Sequence, residues 1–148
     1  MYYVDQKQIN ARLHFIPVIA EALRSLGAQA DKHSLIAHLA QERALYLAIE
    51  VVTDVGSLMI DGFMMRDASS YEDIVDVLKG EGVFSDDLAE QLSELVSLRR
   101  MLTQNYMEMD RTVPLRADLE GIAEQLERFA AAAAAFIEKE LEPFAASE

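Results

Sequence analysis

Between residues 92 and 109, the positions at three-and-four spacing read Leu92, Leu95, Arg99, Leu102, Tyr106 and Met109. A guanidinium therefore stands in a stripe that otherwise buries leucines. At about 100° per residue, Arg99 and Tyr106 lie two turns and about 20° apart, so one continuous helix would point both along the same face. An arginine drawn out of water needs a carboxylate, a phosphate or several carbonyls, because desolvating it unpaired is costly. The second helix of the chain offers partners: Arg43, Glu50 and Asp54 share one face by the same rotation, and Glu50 and Asp54 are four residues apart. Two outcomes stay open at this point. Arg99 braces two helices through Glu50 or Asp54 in a non-catalytic helical interaction or nucleotide-binding module, or it is held there to bind an anion. Gln104, about 140° further round the helix, cannot share the Arg99 face but can form the rim of the same groove. Its carboxamide can hydrogen-bond a phosphate oxygen, while Arg99, supported by Arg100, can clamp the anion or stabilise added charge on phosphorus.

Other chemistries find little support. The histidines are His14, His33 and His38, and no spacing argument puts any of them beside Arg99. His33 and His38 are five residues apart, not the three or four that align two ligands on a helix, so no metal site is expected. Zero cysteines remove disulfides, thiolate zinc sites and a cysteine nucleophile together. No glycine-rich phosphate loop or Ser-His-Asp arrangement can be argued from spacing, and no cofactor is expected. The seven methionines read as core filler or adaptable interface.

These residues must be positioned by helices. The apolar spacing predicts a first helix from Asp5 to Gly27, capped by the Asp5 carboxylate, carrying Ile9, Leu13, Ile16, Ala20 and Leu23 inward and kinked at Pro17. A longer, central helix runs from Ser34 to Gly62 with Leu35, Leu39, Leu45, Ile49, Val52, Val55 and Met59 on its stripe. Ser70 and Asp73 make a capping-box-like start for a short third helix ending by Gly80 or Gly82, with Ile74, Val77 and Leu78 turned to the bundle. The fourth runs from Ser85 through Met109, and the fifth from Pro114 to about Leu141. Six consecutive alanines, Ala130 to Ala135, favour close helix packing over a disordered tract. In the fourth helix, Val96, Thr103 and Met107 widen the apolar arc beyond what one neighbouring helix covers, which points to a dimer.

The chain of 148 residues, 51% hydrophobic and 26% charged, suits one all-α domain, a five-helix up-and-down bundle spanning residues 1–148. Thirteen basic against 26 acidic side chains leave a formal charge of −13, which removes generic charge-driven affinity for DNA, RNA or anionic membrane and leaves RNA only a local basic pocket. The amino terminus does not read as a secretory signal, and no stretch approaches the ~20 apolar residues of a membrane-spanning helix. A cytoplasmic protein is expected.

The stretch Leu98-Arg-Arg-Met-Leu-Thr-Gln-Asn-Tyr-Met-Glu-Met-Asp110 resembles the Arg-x-x-x-x-His-x-Tyr motif of HepT-like proteins in the HEPN superfamily. Tyr3-Val-Asp5, Glu42-Arg-Ala-Leu-Tyr-Leu-Ala-Ile-Glu50 and Ile60-Asp-Gly-Phe-Met-Met-Arg-Asp-Ala-Ser-Ser-Tyr-Glu-Asp73 are similar to the YutE-type branch of that family. The order and spacing of all four carry the resemblance. It implies an all-helical symmetric homodimer with motif helices facing each other. The implied activity is that of a metal-independent ribonuclease toxin, neutralised by a nucleotidyltransferase antitoxin that can transfer AMP onto the motif tyrosine. By position, Arg99 matches the family's arginine, Tyr106 the AMP-accepting tyrosine, and Gln104 the catalytic histidine. That last departure matters chemically: imidazole exchanges protons near neutral pH and a carboxamide does not. Cleavage is therefore expected to be weak or lost, while binding survives.

Overall fold

The computed structural model describes residues 2–29 and 34–145, the side chains of 143–145 excepted; His33 lies outside them. Its elements are α1 (Gln6–Ala28), α2 (Leu35–Gly62), α3 (Tyr71–Gly80), α4 (Asp86–Ser97), α5 (Arg99–Thr103), a 3-10 turn at Tyr106–Glu108, and α6 (Leu119–Ala145). Among the described residues there is no strand. The five expected helices are present, the fourth in two pieces, α4 and α5.

Side-chain caps set most of the helix starts. The Asp5 carboxylate accepts the Gln8 amide at 3.1 Å, and the hydroxyls of Ser34, Ser70 and Ser85 accept the amides of Ala37, Asp73 and Leu88 at 3.0, 3.0 and 3.2 Å. α1 continues through Pro17. Its start lies against the end of α2, where the Tyr3 amide donates to the Gly62 carbonyl at 3.2 Å. That approach requires a glycine: a Cβ on Gly62 would sit 2.9 Å from the Val4 Cα. The other end of α1 meets the start of α6 at Gly27, close to Leu119 and Glu120. α1 thus runs antiparallel to both α2 and α6 around a core that includes Ile9, Ile16 and Leu23 of α1, Leu45 and Ile49 of α2, and Leu126 and Phe129 of α6. Each such side chain removed from water contributes about 1.5–3 kcal/mol before entropy is counted. Ala133 is fully buried, so the alanine run forms packed helix.

Four expectations need correction. The fourth helix does not reach Met109. At Leu98 the chain tightens, its amide donating to the Leu95 carbonyl at 3.1 Å, while the Ser97 hydroxyl takes the Glu94 carbonyl. At Thr103 the hydroxyl donates to the Arg99 carbonyl at 2.8 Å, and the amides of Gln104 and Asn105 both turn back to Arg100. Thr103 and Asn105 are weak helix formers, which suits the early end; the hydroxyl bonds do not by themselves break a helix, since Thr53 makes the same contact with the Ile49 carbonyl inside unbroken α2. The last helix starts at Leu119 rather than Pro114, because the Asp118 carboxylate accepts the Gly121 amide at 3.0 Å and supplies the cap there. Leu35 and Leu39 are exposed, Leu39 on the wall of a groove between α2 and α5 with the turn after it. Val96 is fully buried within the chain's own core, so it widens no outward apolar arc; Met107, 78% accessible, does face out.

Candidate functional site

Arg99 opens α5, and its side chain crosses to α2 and α3. The guanidinium carbon lies 3.7 Å from the centroid of the Tyr71 ring, a face-on cation–π contact. Its Nε is 3.9 Å from Glu50 Oε1, beyond hydrogen-bond reach. That Nε is enclosed and has no hydrogen-bond partner among the described residues, whereas 24% of the side chain as a whole remains accessible. The other expected carboxylate, Asp54, is engaged elsewhere: it accepts from Arg12 Nε at 3.3 Å, with Arg12 anchored also on Gln8. Arg99 is thus held mainly by a ring, which orients its charge without neutralising it.

The ring is itself placed with care. Arg66 donates both terminal nitrogens to the Asp73 carboxylate at 2.7 and 3.0 Å, and the Ser69 amide and hydroxyl donate to the same carboxylate at 2.9 and 3.1 Å. These bonds, Arg66 first, hold the Asp73 carboxyl well below the usual carboxylate range. With the Ser70 cap, they fix the first turn of α3, where Tyr71 projects. Gly56 of α2 seats that helix closely, since a Cβ there would come within 2.4 Å of Ile74 Cγ2.

Tyr106 lies in the 3-10 turn, half exposed, and forms one wall of a groove of about 450 Å³ between α2 and the segment after α5. Leu39, Arg43, Tyr46 and Leu102 line it too, and the Arg43 guanidinium stands 5.1 Å from the Tyr46 ring centroid. Arg99 and Tyr106 therefore do not share one helix face, because the helix expected to carry both ends between them. Gln104 caps α5 with its side chain exposed and is outside the lining of this groove; Arg100 is exposed beside it.

One cluster near the groove escaped the sequence reading. Glu42 accepts two hydrogen bonds from Arg111, both at 2.8 Å, and one oxygen also meets His38 Nδ1 at 2.7 Å. His38 is 1% exposed. The Arg111 bonds, opposed by burial and helped by His38, lower the Glu42 pKa. This ties the segment after the motif to α2. The available signal was His38 and Glu42 at i,i+4 on a helix, with an arginine just before Pro114. His14 is exposed on α1. Among the described residues, no group of three or more His, Cys, Asp or Glu could hold a metal ion, and no helix is long and apolar enough to cross a membrane.

The all-helical frame is that of a HEPN-type protein, and the chain belongs to the ribonuclease HepT-like family, which matches residues 15–133. Among relatives, it is 39% identical over 110 residues, 74% of each chain, to the YutE protein of Bacillus subtilis (strain 168), whose designation as an RNase is provisional. The solved structure of YutE from Bacillus subtilis, described as a cytosolic protein of unknown function, superposes with a TM-score of 0.77 at 33% identity, covering 95% of this chain and 96% of that one. A toxin–antitoxin structure with AMP-PNP has the same fold, with a TM-score of 0.76 at 14% identity over 87% of this chain and 98% of that one. So has a tri-AMPylated Shewanella oneidensis HEPN toxin in complex with its MNT antitoxin, with a TM-score of 0.69 at 14% identity over 86% and 96% of the two chains.

Proposed function

We propose that this chain is the HepT-like member of a toxin–antitoxin pair. It acts as a homodimer that binds RNA through Arg99 and Arg100, cleaves it weakly or not at all, and is the target of a nucleotidyltransferase antitoxin that adenylylates Tyr106. The observation that carries this reading is the state of Arg99: its charge lies on a neutral ring, Glu50 stops short of a hydrogen bond, and part of the side chain remains open. A cation kept in that state suits a phosphodiester better than it suits a helix brace. Tyr106 is half exposed on the groove wall, as an acceptor hydroxyl has to be. Gln104 holds the position where a proton-transferring imidazole belongs, and loss of such a group typically lowers the rate ~10²- to 10⁴-fold.

The test is RNA cleavage by the purified protein. Gln104→His raises cleavage, and adding Arg99→Ala removes the gain. No gain on Gln104→His, together with unchanged RNA binding by Arg99→Ala, refutes the site. Co-expression with a nucleotidyltransferase antitoxin of the kind paired with HepT-like toxins adds adenylyl mass to the wild-type chain and none to Tyr106→Phe. Sedimentation at micromolar concentration gives a dimer, and a monomer there refutes that part. The competing reading, a non-catalytic module braced by Arg99, has the nearness of Glu50 in its favour.

A further inference from the structure

The stretch Ile60–Asp73 supplies a residue that the proposed site has not yet used. Tyr71 stands at the first position of α3, and its ring meets the Arg99 guanidinium face-on at 3.7 Å. The chain devotes a dense set of bonds to that turn: the Ser70 cap, the paired Arg66–Asp73 contact, and the Ser69 amide and hydroxyl on Asp73. None of these four residues touches Arg99 through a hydrogen bond or an ion pair. Their common effect is to fix the ring beneath the cation.

We infer that Tyr71 is the positioning residue of the Arg99 anion site, its ring aligning the guanidinium while leaving the charge available to a phosphate group. The physical case lies in the choice of partner. A carboxylate at hydrogen-bond distance would hold the arginine equally well and would also compete with any incoming anion. An aromatic face attracts the cation through its quadrupole and occupies neither its in-plane N–H donors nor its net charge. The edge of the guanidinium, where a phosphodiester is gripped bidentately, is left for the ligand. Glu50 at 3.9 Å lies near enough to bias the rotamer but does not take up Nε. Tyr71 is 43% accessible, so its ring is not demanded by the core. The inference rests on the proposed anion-binding role of Arg99, and the experiment separates failure of one from failure of the other.

The experiment measures binding of a fluorescein-labelled single-stranded oligoribonucleotide by anisotropy across a salt series, for wild type, Arg99→Ala, Tyr71→Phe and Tyr71→Leu. Helical content and thermal midpoint are recorded for each. Expected are retention in Tyr71→Phe, which keeps the ring, and a loss of about 2- to 30-fold in Tyr71→Leu, the range of about 0.5–2 kcal/mol for a cation–π contact. The salt slope of Tyr71→Leu also falls by about 0.7, one phosphate contact on a single strand, as it does for Arg99→Ala. A merely structural tyrosine would move the thermal midpoint and leave that slope alone. If Arg99→Ala weakens binding and Tyr71→Leu binds like wild type, the positioning role is overturned and the Arg99 site stands. If Arg99→Ala has no effect, the anion site itself is overturned. Should Tyr71→Leu fold poorly, Tyr71→Phe and Tyr71→Trp decide: both keep a π face and both have to retain binding, and loss in both overturns the proposal in favour of a role for the hydroxyl.

Discussion

Replacing Arg99 with methionine separates a ligand-binding arginine from a helix brace, because the two readings predict opposite energetics. Methionine keeps an unbranched apolar stem, so most packing along the side chain is retained. What is lost is the contact with the Tyr71 ring, worth about 0.5–2 kcal/mol, and the Glu50 pair at 3.9 Å, worth about 0–1 kcal/mol. What is relieved is an enclosed Nε with no hydrogen-bond partner among the described residues, a cost of about 1–3 kcal/mol. The sums overlap, so Arg99→Met costs no more than about 2 kcal/mol and gains no more than about 2.5 kcal/mol. RNA binding falls sharply at the same time. A brace behaves differently: removing one partner of a buried pair costs about 3–5 kcal/mol. Urea unfolding followed by far-ultraviolet circular dichroism reads the first quantity, and anisotropy of a labelled oligoribonucleotide the second. A loss above about 3 kcal/mol with unchanged RNA binding refutes the ligand-site reasoning and establishes the brace.

Other perturbations test how the site is held. The folded chain lowers the Glu42 pKa, so this carboxylate's contribution is complete above about pH 4.3, the ordinary glutamate value, and is lost as the pH falls through the lower folded value. Arg111→Gln, which removes the largest cause of that lowering, flattens this acid-dependent part of stability; an unchanged pH profile in urea unfolding would count against the contact. In the same variant, amide exchange quickens across residues 104–113, the segment that Arg111 ties to α2. Gly56→Ala forces a methyl to within 2.4 Å of Ile74 Cγ2 and lowers stability by about 1–3 kcal/mol in thermal or urea unfolding. Ser70→Ala removes the α3 cap at a cost of about 0.5–2 kcal/mol and weakens RNA binding as well, since the capped turn carries Tyr71.

Much of the frame was legible because it rests on local rules. Asp5, Ser34, Ser70 and Ser85 cap as their types and positions require, and the spacing of Ile9, Ile16 and Leu23 or of Ile122, Leu126 and Phe129 reports the buried faces. The region from Ser97 to Asp118 was read less well. Its apolar spacing continues smoothly to Met109, but the chain tightens at Leu98 and the helix ends at Thr103, where the weak helix formers Thr103 and Asn105 stand, and periodicity does not register propensity. Pro114 was a plausible first helical residue on preference alone; the Asp118 cap four residues on prevails. At the site, Arg99 was visible as a charge in an apolar stripe, with Glu50 and Asp54 as alternative carboxylate partners, of which the structure brings Glu50 near. Tyr71 and Arg111 were not, because each meets its partner across the bundle. Pair contacts at long sequence separation leave no periodic trace.

The end of α5 at Thr103 also changes how the site is assembled. Had one helix carried both Arg99 and Tyr106, their relation would be fixed by helical geometry alone. With α5 ending at Thr103, the structure holds each against α2: Arg99 near Glu50, Tyr106 across the groove from Arg43 and Tyr46. Arg43 and Glu50 lie on one face of α2, seven residues and about 10 Å apart along its axis. That helix, central and well buried, thus serves as the ruler that the motif helix does not provide. The Arg111–Glu42 contact on one side and the Ser70-capped turn on the other press the two chemically important segments onto it. Each attachment can be loosened separately, so the proposed RNA-binding end and the proposed acceptor tyrosine respond to different substitutions: Tyr71 and Ser70 govern the first, Glu42 and Arg111 the second.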